Sequence, residues 1–90
     1  MNNWRQILSW QEPETLVGWL VKMNSKINNR KFYKVITKVV DENTLEGTCM
    51  GDTPREAIKY YKDYIEGRLL GLSLVEKKDW GEIILMKKIF

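Results

Sequence analysis

Gly51-Asp52-Thr53-Pro54-Arg55-Glu56 is the stretch on which the reading of this chain turns. Gly51 closes a preceding strand. Thr53 can accept a hydrogen bond from the amide three residues on. Pro54 takes the first helical position, where no amide is needed, and Glu56 can reach back to complete a capping box. The helix predicted from this start runs from Pro54 to about Leu69. It sets Ala57, Ile58, Tyr61, Ile65 and Leu69 on one face and Arg55, Lys59, Lys62, Asp63 and Glu66 on the other. Gly71 is its expected stop.

On the C-terminal side, Leu72 to Glu76 reads as a strand. Lys77-Lys78-Asp79-Trp80-Gly81 reads as a loose hairpin turn, and Glu82 to Phe90 as the last strand. On the N-terminal side, Thr44 to Met50 is a short strand and Asp41-Glu42-Asn43 a turn. Lys31 to Val40, rich in β-branched and aromatic residues, is a longer strand paired with Thr44–Met50 as a hairpin. Within it, Tyr33, Val35, Thr37 and Val39 form the cleaner apolar parity and are expected to face the core. Lys34 and Lys38 share the other parity with Phe32, Ile36 and Val40. Asn24-Ser25 and Asn28-Asn29 mark a loop.

Further upstream the spacing predicts helix. Asn2 or Asn3 caps a turn holding Trp4, Ile7 and Leu8. Ser9-Trp10-Gln11-Glu12 is a second capping pattern, followed by Pro13. Leu16, Trp19, Leu20 and Met23 then fall on one helical face, with Gly18 implying a close packing contact. The expected fold is a single α+β domain over residues 1–90. An N-terminal helical segment precedes β-β-α-β-β, giving an antiparallel sheet with helices packed on one face.

Composition narrows the chemistry. The 90 residues are 43% hydrophobic and 30% charged, as in folded globular proteins. The chain carries no histidine, which removes the commonest general base and metal ligand and every Ser-His or Cys-His pair. Its single cysteine, Cys49, can form no internal disulfide and reads as a small core residue. No signal peptide and no membrane-length apolar run is visible, so a cytoplasmic location is expected. Asp41, Glu42, Glu46 and Asp52 are candidate metal ligands, and the Glu76-Lys77-Lys78 run carries the Glu-x-Lys ending of some metal-dependent nucleases. Turn and strand-surface roles account for them better, so no metal, no cofactor and no enzymatic activity is expected.

Binding features remain. Four tryptophans and four tyrosines are many for 90 residues; core packing accounts for most of them, and Trp4, Trp10 and Trp80 are the candidate anchors for a protein partner. The net charge of +3 suits a partner with an acidic face. The alternative is a small basic nucleic-acid-binding protein that uses Lys34, Lys38, Lys77, Lys78, Lys87 and Lys88 on one open sheet face.

The stretch Glu46-Gly-Thr-Cys-Met-Gly-Asp-Thr-Pro-Arg-Glu-Ala-Ile58 resembles the strand-to-helix junction of HicB-type antitoxins, where a glycine-ended strand runs into an Asp-Thr-x-x-Glu-Ala helix start. The resemblance covers about a dozen residues and implies a small protein that neutralises a partner by direct binding. The opening Pro-Glu-Thr-Leu-Val-Gly-Trp-Leu at 13–20 and the Lys, Asn and Ile usage look like those of small accessory proteins of phages of low-GC bacteria. The expectation is therefore a non-catalytic protein-binding module, antitoxin-like or a phage-encoded inhibitor of a host or cognate protein.

Overall fold

The structure, a computed structural model, describes residues 16–68 and 71–89. The predicted turn at Trp4–Leu8 and the start signal at Ser9–Pro13 lie outside these residues. In chain order the elements are β1 (Trp19–Ser25), β2 (Lys31–Asp41), β3 (Thr44–Gly47), α1 (Pro54–Ile65), β4 (Ser73–Glu76), a 3-10 turn (Lys77–Asp79) and β5 (Trp80–Lys88). All strand pairings are antiparallel, in the order β4-β3-β2-β1-β5.

The main correction to the sequence reading falls at residues 16–23. Leu16, Trp19, Leu20 and Met23 fit a helical period, yet Trp19–Ser25 is a strand, and it lies between β2 and β5. Val21 and Met23 are buried on one side of this strand and Leu20 on the other. A strand buried on both faces shows a near-continuous apolar run, which periodicity alone does not separate from a helix. Gly18 has φ of +81°, a left-handed conformation that ends any helix before β1. Its amide donates to Ile36 O at 2.6 Å and its carbonyl accepts from Ile89 at 2.7 Å, so it joins β2 and β5 at the sheet's end.

The second correction concerns β5. The predicted hairpin between the last two strands does not form: β4 pairs with β3, while β5 pairs with β1 from Ser25↔Trp80 to Trp19↔Lys88. β4 and β5 are thus opposite edges of a five-stranded sheet, joined by a turn of three residues. Glu76 lies beside Thr44, at the Asp41 end of β2, and Trp80 beside Ser25, at the Lys31 end. In a flat sheet these corners would be more than about 30 Å apart. Four Cα steps reach at most about 14 Å. The sheet therefore coils until its diagonal corners meet, forming a half-closed barrel. Two bulges in β2, between Ile36 and Lys38 and between Val39 and Asp41, supply the bend. The 3-10 turn is held from both sides. Lys77 N donates to Asn43 O at 2.9 Å in the β2–β3 turn, and Lys26 Nζ, in the β1–β2 loop, donates to Lys78 O.

Coiling gives the sheet an enclosed face. Leu16, Val21, Met23, Ile36, Val39, Leu45, Val75, Ile83 and Leu85 form one buried cluster, although Val75 and Ile83 come from opposite edge strands. Trp19, Phe32 and Trp80 pack against it. The predicted parity of β2 changes accordingly. Phe32, Lys34 and Ile36 share the inner face, and the first bulge brings Val39 onto it in place of Thr37 and Lys38.

Helix α1 covers part of the outer face. Ala57 and Tyr61 bury themselves against Leu20 and Val35, with Tyr33, Ile58 and Ile89 around them. Thr53 caps the helix by accepting from Glu56 N at 3.2 Å. The Glu56 carboxylate reaches back one residue further than a reciprocal box requires, to Asp52 N at 2.7 Å. The helix stops before the expected Gly71. Glu66 is its C-cap, and Gly67, with φ of +78°, turns the chain. Ile65, assigned to the buried face, is 61% exposed, and Leu69 lies outside the described residues.

Candidate functional site

The expected basic face is not assembled from the lysines proposed for it. Lys34 lies on the inner face of β2 and its side chain is buried. Lys38 sits on the outer face opposite Glu46. Lys77 and Lys78 are in the 3-10 turn; Lys77 Nζ donates to Glu42 O at 3.3 Å and Lys78 is 3.9 Å from Glu76. Lys87 pairs with Leu20 and Lys88 with Trp19, one residue apart on a strand and so on opposite faces.

Of the aromatic anchors, Trp4 and Trp10 lie outside the described residues. Trp80 is half-buried at the start of β5. Its ring meets Phe32 edge-on, with centroids 5.8 Å apart and planes at 81°, and it closes one end of the inner cluster. Arg30 stacks its guanidinium 5.1 Å above Phe32 and pairs with Asp52 at 2.9 Å, tying this end of the barrel to the helix start.

The acidic candidate metal ligands are dispersed. Asp41 ends β2 and Glu42 lies in the turn to β3, where Asp41 accepts from Asn43 N at 2.8 Å. Glu46 is on β3, and Asp52 is engaged by Arg30. Among the described residues no three His, Cys, Asp or Glu side chains gather as a metal site would require. Cys49, expected in the core, is exposed, because β3 ends at Gly47 and the chain leaves the sheet before the cysteine.

Two arrangements stand out that the sequence reading did not assemble. The first is a shallow open groove along α1, lined by Arg55, Ile58, Lys59 and Lys62. Positions 55, 59 and 62 recur at helical spacing, so three cations form one stripe beside the half-buried Ile58. Arg30 pairs with Asp52, Arg68 with Asp63 and Glu66, and Lys78 with Glu76. Among the described residues the three cations of the stripe face no carboxylate within ion-pair distance. The residues of this stripe were legible as the polar helix face. That Asp63 and Glu66, four residues on from Lys59 and Lys62, are engaged by Arg68 instead was not.

The second arrangement is at the barrel mouth. From β2 the Lys34 stem runs past Gly47 of β3, and its ammonium donates to Ser73 Oγ at the start of β4. A Cβ on Gly47 would lie 2.3 Å from Val35 O and 3.1 Å from Lys34 Cε, so the path exists because residue 47 is glycine. Burial pushes the Lys34 ammonium down to about 8, against the opposite pull of Cys49 and Glu46. Ser73 itself is exposed.

Comparison with protein-family models, with curated proteins and with solved structures finds no match to this chain. No helix among the described residues is long and apolar enough to cross a membrane.

Proposed function

We propose that the chain is a binding module that docks an acidic surface of a protein partner along the outer side of α1. The observation that carries this reading is the groove of Arg55, Ile58, Lys59 and Lys62, whose cations form no ion pair among the described residues. Unmatched charge steers and orients an oppositely charged partner, and an apolar side chain at its centre supplies contact area that excludes water. Neutralising a host or cognate protein by covering one of its surfaces, as an antitoxin-like or phage-encoded inhibitor does, is the form of function this suits.

A nucleic acid would also answer to a cationic stripe. The apolar Ile58 favours protein, because phosphate contacts draw on cations and polar donors. The test is capture from bacterial lysate by immobilised chain, beside the triple variant R55E/K59E/K62E and the control K38E. Native chain and control should retain the same stoichiometric protein, and the triple variant should lose it. Equal retention by all three removes the groove from the function. Nuclease-sensitive retention with a steep salt dependence would move the reading to nucleic acid.

A further inference from the structure

The geometry points to Ser73 as a nucleophile with Lys34 as its general base, a pair able to accept an acyl group from a carboxylic ester at the barrel mouth. The absence of histidine excludes imidazole-based pairs, and a lysine serves the same role where burial favours its neutral form. Three observations on independent elements meet here. Lys34 is fully buried on the inner face of β2, paired with Val21 and flanked by Phe32 and Ile36. Its amine reaches one hydroxyl, that of Ser73 on β4. Gly47 on β3 keeps the corridor between them open.

Ser73 is exposed, so a substrate meets the hydroxyl from solvent while the amine stays behind it. The charged or titratable groups acting on Lys34 among the described residues are Cys49 and Glu46. Both favour the charged amine and are outweighed by its burial, so the neutral base is reached near physiological pH.

The neutral Lys34 amine takes the Ser73 hydroxyl proton as Oγ forms a bond to the ester carbonyl carbon. The tetrahedral intermediate collapses, the carbon–alkoxy bond breaks, and the Lys34 ammonium returns the proton to the departing alcohol. Water then attacks the acyl-serine with Lys34 again accepting the proton; the carbon–Oγ bond breaks, Lys34 returns that proton to Ser73 Oγ, and the released carboxylic acid gives its proton to solvent. This site lies on β2 and β4, away from the α1 groove, and stands or falls separately from partner docking.

The probe is p-nitrophenyl acetate, with p-nitrophenolate release followed by absorbance and the acetylated residue located by peptide mass spectrometry. The native chain should carry acetyl on Ser73, with a rate that rises through an apparent pKa near 8. S73A should abolish the adduct, and K34M should slow its formation by about 100-fold, the scale of a lost general base. Circular dichroism checks that both variants fold, since S73A also removes the hydrogen-bond partner of the buried Lys34 amine. Acetyl found on surface lysines alone, or an unchanged rate of Ser73 acetylation in K34M, overturns the assignment.

Discussion

Lys34 is the residue whose environment most constrains the energetics. In the unfolded chain its amine has the ordinary pKa of 10.5, and in the folded protein about 8. The folded state therefore binds fewer protons between these values, and stability rises with pH across that window. Below pH 8 both states are protonated and the folded protein bears the full cost of the buried charge, on the order of 3 kcal/mol. Lys34→Met keeps the apolar stem and removes the titration. Its stability relative to the native chain should be greatest below pH 8, and the difference should shrink as pH approaches 10.5. Urea denaturation of both proteins at several pH values measures this directly. A constant difference across the window would mean that Lys34 is solvated in the folded protein. Tyr60 and Tyr61 also have raised values, Tyr60 chiefly through the Glu56 carboxylate and Tyr61 chiefly through burial, and both are common to the two proteins.

At the scale of the element, α1 depends on its first turn. The Thr53 side chain satisfies the Glu56 amide and Glu56 satisfies the Asp52 amide. Gly51 leaves room for this return, since a Cβ there would lie 2.8 Å from Glu56 Cγ. Thr53→Ala should cost about 1 kcal/mol. In a domain of this size that lowers the melting temperature by roughly 4–8 °C. Lys59→Ala, on the exposed face, should stay within about 0.5 kcal/mol. Equal melting of the two variants in calorimetry would place the cap elsewhere. The start of this helix was readable because capping is local chemistry written in four consecutive residues, Thr53 to Glu56. Likewise Lys31–Asp41 declared itself by β-branched and aromatic content. β1 did not, since Leu20, Val21 and Met23 are buried on alternate faces by elements remote in sequence. The place of Lys34 was hidden for the same reason. Nothing near it in sequence shows that Gly47 and Ser73 lie alongside, and lysine on a strand ordinarily faces solvent.

For the whole molecule, closure of the sheet is the organising event. Residues of β4 and β5 enter one inner cluster only because the turn at Lys77–Asp79 draws two diagonal corners together. That closure has a temporal side. β1 is next to the edge of the sheet, flanked by β2 and β5, yet its partners in β5 come roughly sixty residues later, as in Ser25↔Trp80 and Trp19↔Lys88. Joining segments so remote costs loop-closure entropy before any contact rewards it, which slows folding into the millisecond-to-second range of all-β topologies. While the chain is being made, one whole margin of β1 waits without its neighbour until Trp80–Lys88 has emerged. A chain cut after Asp79 should accordingly show no cooperative thermal transition, whereas the full chain melts in one step. A cooperative transition in the shortened chain would show that β1, β2 and β3 hold together before the last strand arrives. On the ribosome, then, this protein is committed late, and its nascent form offers an open strand margin to whatever binds unfinished chains.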